Sequence, residues 1–228
     1  MNARIVLAAI FLAGLTGCAT PMGTKRDSYP AMYTEKKPVS ILVVPAINES
    51  TAADAGDLLN VTVAQPFTNQ GYYVLPVPLV YEIFKREGIL EGTQVKGIPT
   101  PIFKKNFGAD SVLFMTIENW DKNYVVVAGN ITVGIEYVLM STETNEVLWS
   151  YDQKVVVDTS SSSGNILVDL VATAISTAVA DYVPVAAQVH AVAIQSMPFG
   201  KYHPKSGLDG EVRSVNLAAK DAALDPNK

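Results

Sequence analysis

Residues 39–45 read Val-Ser-Ile-Leu-Val-Val-Pro, a β-branched run that is apolar on both sides of the pleat. Successive side chains of a strand point to opposite faces, so a strand wetted on one side alternates apolar with polar. A run like this one suits a strand covered on both faces, and the elements that follow favour helices packed on a mainly parallel or mixed sheet. The downstream residues supply that cover. Asn48-Glu49-Ser50-Thr51 provides turn and cap residues, and Thr51 to Gln70 reads as a helix with Ala55, Leu58, Leu59, Val63 and Phe67 at near-helical spacing. Pro66 is expected to kink or end it. Gly71 stops it, and Tyr72-Tyr73-Val74-Leu75 makes a short second strand. Pro78 opens a helix over Leu79 to Glu87 that Gly88 closes. A third helix starts at Thr100-Pro101, ends at Phe107 with Gly108 as its cap, and feeds a strand over Val112 to Ile117.

The pattern then changes. Tyr124 to Ala128 and Ile131 to Met140 read as strands, the second alternating through Ile131, Val133, Ile135, Tyr137 and Leu139. After a turn at Ser141 to Asn145, Glu146 to Asp158 places Val147, Trp149, Tyr151, Val155 and Val157 on one face. This is an antiparallel meander with a single packed face. The polar joint Thr159 to Gly164 leads into Asn165 to Ser196, read as one helix that Pro184 must kink or break. Asp169, Asp181 and Pro184 argue against a membrane span there, leaving a core helix or an oligomer interface. The expected fold is α/β: a mixed sheet of about five to six strands with packed helices and a long kinked C-terminal helical segment.

The N-terminus gives an address. One basic residue, Arg4, precedes the apolar run Ile5 to Leu15, which ends in Leu15-Thr16-Gly17-Cys18. Charge, short apolar core and small residues make a secretory signal, and the run falls short of the ~20 residues of a bilayer span. The last four residues resemble a bacterial lipobox, which implies cleavage before Cys18 and acylation of its sulfur. Cys18 is the chain's only cysteine, so no internal disulfide and no multi-thiolate zinc site exists. Ala19 stands where an inner-membrane retention signal would have Asp, so the expected position is the outer membrane, facing the periplasm. The expected organisation is a signal peptide at 1–17, a flexible tether at 18–38, a periplasmic αβ domain at 39–200 and a polar tail at 201–228. Lys25, Arg26, Lys36 and Lys37 of the tether either approach anionic lipid or simply keep it solvated.

Candidate chemistry is sparse. With 17 Lys+Arg against 22 Asp+Glu, the net charge of −5 argues against a nucleic-acid partner. Glu49, Asp54 and Asp57 bracket the first strand–helix junction, a usual place for ligands in α/β folds, but such carboxylates also complement a helix dipole. No glycine-rich phosphate loop follows the first strand. His190 and His203 have no partner at metal-ligand spacing, so no metal or cofactor is expected. Trp120, Tyr124, Tyr137, Trp149 and Tyr151 cluster in the meander. Sheet packing accounts for them, and so does a protein-contact face, where Trp and Tyr dominate hot spots.

Several segments together carry a resemblance: the lipobox, Ile41-Leu-Val-Val-Pro45 followed by Asn48, Gly71-Tyr-Tyr-Val-Leu75, Phe107-Gly-Ala-Asp-Ser-Val-Leu-Phe114, and Thr144-Asn-Glu-Val-Leu-Trp149. They look like envelope proteins built on the TolB N-terminal-like fold, a group that includes the curli secretion lipoprotein CsgG. More closely, residues 15–200 resemble a family of bacterial lipoproteins known from Neisseria and encoded beside CsgG-like lipoproteins. The resemblance implies an outer-membrane-anchored, non-enzymatic accessory or scaffold of an envelope or export complex, with Cys18 as the lipid-bearing residue. Its implied partners are the membrane and envelope proteins such as CsgG-like lipoproteins, and a homo-oligomer is compatible with it. The alternatives are a CsgG-like secretion-pore subunit, or an envelope small-ligand binder or hydrolase.

Overall fold

In the computed structural model, the structure describes residues 23–35, 37–125, 128–158 and 182–214. The expected signal peptide, Cys18, the expected joint at 159–164 and the part of the expected helix at 165–181 lie outside the described residues. Among the described residues, six strands form one mixed sheet: β1 (Ser40–Val43), β2 (Ile47–Asn48), β3 (Tyr73–Val74), β4 (Ser111–Val125), β5 (Ala128–Ser141) and β6 (Val147–Asp158). Their order is β3-β1-β4-β5-β6, and β2 also pairs with β4. β1 lies parallel to both neighbours, with Ile41 opposite Val74 on one side and Ser111 on the other. β4, β5 and β6 form the antiparallel meander.

The run at 41–44 behaves as its composition requires. Ile41 and Val43 join a core with Leu59, Phe67, Val185 and Val189, while Leu42 and Val44 join a separate one with Val80, Phe84 and Phe103. The first core is covered by α2 (Ala55–Thr62), α3 (Ala64–Asn69) and α6 (Val183–Ala193). The second is covered by α4 (Val77–Arg86) and α5 (Pro101–Phe107). The chain therefore crosses from β1 to β3 on one face and from β3 to β4 on the other. In β5 the alternation holds: Val133, Ile135, Tyr137 and Leu139 are buried in the first core.

Three features depart from the sequence expectations. The helix expected over 51–70 is two helices broken at Val63. Pro66 has no N–H to give the Thr62 carbonyl and its ring crowds that carbonyl, so the break falls one turn upstream of the proline. The two strands expected at 112–117 and 124–128 are one strand, β4, with a bulge between Ile117 and Asn119. Pairing with β5 through Trp120 and Val133 overrides the low strand propensity of the polar residues between them. The break expected at Pro184 falls at the start of α6: the proline sits in its first turn, where a missing N–H costs nothing, and residues 165–181 lie outside the described ones.

The third departure is the tether. Residues 23–33 are ordered as α1 (Lys25–Ser28) and a 3-10 turn, Pro30–Tyr33, with Tyr29 and Met32 buried. The polar tail is likewise packed through Ser214, and its remainder, 215–228, lies outside the described residues.

Candidate functional site

Two places on the body carry polar chemistry, one at each end of the parallel strands. The first is a clasp between residues 23–33 and 197–214. Thr24 caps α1, its Oγ1 accepting from the Asp27 N–H at 3.2 Å while Asp27 accepts from the Thr24 N–H at 3.0 Å. The Lys25 N–H donates to the Val212 carbonyl at 2.8 Å, and Arg26 N–H to the Gly210 carbonyl at 3.0 Å. The Ser214 N–H returns a bond to Gly23 at 2.9 Å. At the centre, Lys25 Nζ donates to the Met197 carbonyl at 2.9 Å and to Asp209 at 3.3 Å. Asp209 also accepts from the Phe199 N–H at 3.0 Å and the Tyr33 hydroxyl at 3.2 Å. Burial pulls the Lys25 pKa down, opposed by the Asp209 charge. The clasp is fastened to the sheet edge by the Tyr72 hydroxyl, which donates to the Pro198 carbonyl at 2.8 Å.

The second is a crevice of about 360 Å³ beyond the C-terminal end of β1, walled by Pro45 to Asn48, by α2 and α4, and by Ile89 to Thr93. It occupies the switch point where the chain leaves β1 for one face of the sheet and returns to the other, as open α/β folds prescribe for ligands. Gly92 packs so tightly here that a Cβ would stand 2.4 Å from the Pro45 carbonyl oxygen. Tyr81 donates to the Val44 carbonyl at 3.2 Å, and burial pushes its pKa up. The Asn60 side chain, from α2, lines the crevice beside Tyr81 and opposes that rise.

Of the three carboxylates expected at this junction, Asp57 lines the crevice, in the first turn of α2. Asp54 precedes α2 without capping it, and Glu49 uses its N–H on Ile117 of β4 at 2.9 Å. Asn60 and Tyr81 gave no sign in the sequence, since a polar residue within an amphipathic helix marks nothing until its neighbours are known.

Among the described side chains, the meander aromatics turn inward and do not form a contact face. Trp120, Tyr137, Trp149 and Tyr151 are buried in the first core, and the side chain of Tyr124 lies outside the described ones. The physical reason is their register: Tyr137 pairs with Tyr151 and Leu139 with Trp149 on the face that α6 covers. The Trp149 Nε1–H donates to Ser196 Oγ at 3.0 Å, so even its polar edge is satisfied internally. His190 is equally internal, held between Tyr137 and the Leu59 carbonyl. Among the described residues there is no group of three His, Cys, Asp or Glu that could hold a metal, and no helix long and apolar enough to cross a membrane.

Comparison with known proteins gives consistent matches. A family model described as "Putative lipoprotein GNA1162-like" matches residues 28–209. The Neisseria meningitidis protein "Putative lipoprotein NMB1124/NMB1162" is 26% identical over 172 residues, covering 75% of this chain and 79% of the relative. The crystal structure of lipoprotein GNA1162 from Neisseria meningitidis superposes with a TM-score of 0.52 at 27% identity, over 63% of this chain and 99% of that one.

Proposed function

The chain belongs to the GNA1162-like lipoprotein family, and from that premise we propose that it is held at the outer membrane by acyl chains on Cys18, faces the periplasm, and serves as a non-catalytic accessory or scaffold of an envelope or export complex. The observation that carries the reading is Leu15-Thr16-Gly17-Cys18, a full lipobox ending in the chain's only cysteine. Several acyl chains on one residue anchor stably where a single chain does not. The internal chemistry supports a scaffold. Both His190 nitrogens are engaged in the core, and Lys25 and Asp209 are engaged in the clasp.

The pore reading has one feature in its favour, strands β5 and β6 of 14 and 12 residues, beyond the ~9–11 that a membrane strand needs. Against it, Glu136 and Asp152 sit directly opposite each other on adjacent strands, and burial together with Asp152 raises the Glu136 pKa. Two facing carboxylates suit neither a lipid-facing surface nor easy pairing.

The test is expression of the full chain and its Cys18→Ala variant in a Gram-negative host. Labelling with radioactive palmitate and density separation of the two membranes should put the label and the protein in the outer-membrane fraction, and both should be lost in the variant. A variant that stays acylated and sediments with outer membrane overturns the anchor. Crosslinking in intact cells should recover a small fixed set of envelope proteins, and recovery of the chain alone overturns the accessory role.

A further inference from the structure

We propose that the clasp face, residues 201–213 together with the start of α1, rests on the phospholipid surface and sets the orientation of the body. The inference builds on the Cys18 anchor of the preceding reading and adds a second, direct contact with lipid.

The first argument is chain length. The described residues begin at Gly23, whose carbonyl is bonded by Ser214. Between Cys18 and Gly23 there are only five Cα steps, and a fully extended chain spans at most ~3.6 Å per residue, or about 18 Å. An acylated Cys18 lies at the headgroup boundary, so the clasp cannot stand far from it. A folded face held that close to a bilayer is either repelled by it or in contact with it.

The second argument is the chemistry of that face. Large apolar side chains are exposed along it: Leu208 at 77%, Tyr202 at 64% and Val212 at 52%. Val212 is bonded through its carbonyl to Lys25, two residues from Gly23, so the apolar exposure continues to the point where the chain enters the fold. Lys201, Lys205 and Arg213 are exposed in the same segment, with Glu211 as its exposed carboxylate. Asp209 is buried on Lys25, and Asp27 is occupied in the α1 cap. This local excess of basic residues occurs in a chain of net charge −5. Aliphatic and Tyr side chains beside Lys and Arg are what an interfacial surface over anionic lipid uses. With Asp209 turned inward, the face keeps Glu211, paired with Arg26 at 3.6 Å, and Asp27, held in the α1 cap, as its exposed carboxylates against Lys201, Lys205 and Arg213.

The proposal also orients the rest of the molecule. Lys37, three residues ahead of β1, bonds Ser206 of the clasp at 2.8 Å, while Pro45 to Asn48 at the other end of the strand line the crevice. The crevice then faces away from the bilayer, open to the periplasm.

The experiment uses the acylated full chain reconstituted in vesicles of phosphatidylethanolamine and phosphatidylglycerol. The thioether consumes the Cys18 sulfur, so Leu208→Cys supplies the single thiol for an environment-sensitive fluorophore. Leu90→Cys, at a position 68% exposed beside the crevice, is the control. At 208 the emission should shift to the blue and be quenched by nitroxide-bearing lipids, and at 90 it should do neither. Val212→Cys repeats the measurement should the first variant fold poorly. A blue shift at 208 without nitroxide quenching means that protein covers the face, and overturns the proposal. Intact mass and flotation report the anchor separately. Floating protein with water-like emission at 208 overturns the docking alone, and an unacylated product that does not float overturns both.

Discussion

The Tyr137 hydroxyl and Nδ1 of His190 lie 2.9 Å apart in the centre of the core, where both side chains are 0% exposed. Nε2 of the same ring is 3.1 Å from the Leu59 carbonyl. A carbonyl can only accept, so Nε2 holds the proton, Nδ1 is the acceptor and Tyr137 the donor. One neutral imidazole thereby joins β5, α6 and α2.

Acid should loosen this junction. Burial pushes the His190 pKa down to about 4, with the Leu59 carbonyl opposing it, while an unfolded chain takes up the proton at ~6.5. Below that pH the unfolded state binds a proton that the folded state refuses. Stability should fall from pH ~6.5 to ~4, by roughly 3 kcal/mol at 1.36 kcal/mol per pH unit. Urea midpoints of the wild type and His190→Gln at pH 7 and 4.5 read this directly. The variant should be weaker at pH 7 and flatter between the two, and equal slopes would remove His190 as the cause.

Lys25 and Asp209 form an ion pair whose side chains are 6% and 4% exposed. Asp209→Ala leaves the ammonium buried and unpaired, which typically costs ~3–5 kcal/mol. Trypsin cleavage after Arg26 should accelerate with it, because the clasp opens first. The double variant Lys25→Met/Asp209→Leu should recover much of the loss. Denaturation midpoints and digestion rates that rank the double variant no better than the single would show that the two charges are not coupled.

Gly71 has φ +94, and a Cβ on it would stand 2.4 Å from the His203 nitrogen. A Cβ on Gly200 would stand 2.4 Å from the Gly71 carbonyl oxygen. Backbone cannot yield as a side-chain tip can, so Gly71→Ala and Gly200→Ala should each cost ~1–3 kcal/mol or more. Gly56, in α2 with nothing within 4 Å of its would-be Cβ, should behave oppositely. Gly56→Ala is expected to add ~0.5–1 kcal/mol by thermal denaturation, and a loss there would contradict the open space.

Trp149 stacks on Tyr151 at 6.5 Å and meets Phe67 edge-on at 6.1 Å. Trp149→Ala should cost ~3–5 kcal/mol as a core truncation. Near-ultraviolet circular dichroism with urea titration would check it. A variant of full stability would return the ring to the surface role that its sequence position suggested.

The parts legible in the sequence were those that a local pattern encodes. The two-sided run at 41–44 demanded cover on both faces, and the alternation through Val133, Ile135, Tyr137 and Leu139 demanded it on one. Gly108 at φ +70 closing α5 and Gly88 at φ +77 after α4 were readable because few other residues tolerate that backbone. The lipobox is likewise a contiguous string.

What the tertiary structure decided has no contiguous trace. Lys25, in a stretch rich in Pro and charge, reads as solvated until Asp209, 184 residues away, is placed against it. Trp149 and Tyr151 read equally well as core or contact face until α6 is laid over them. Periodicity states which face of an element must be covered and says nothing of what covers it. That choice is made between segments distant in the chain, by the free energy of removing both surfaces from water together.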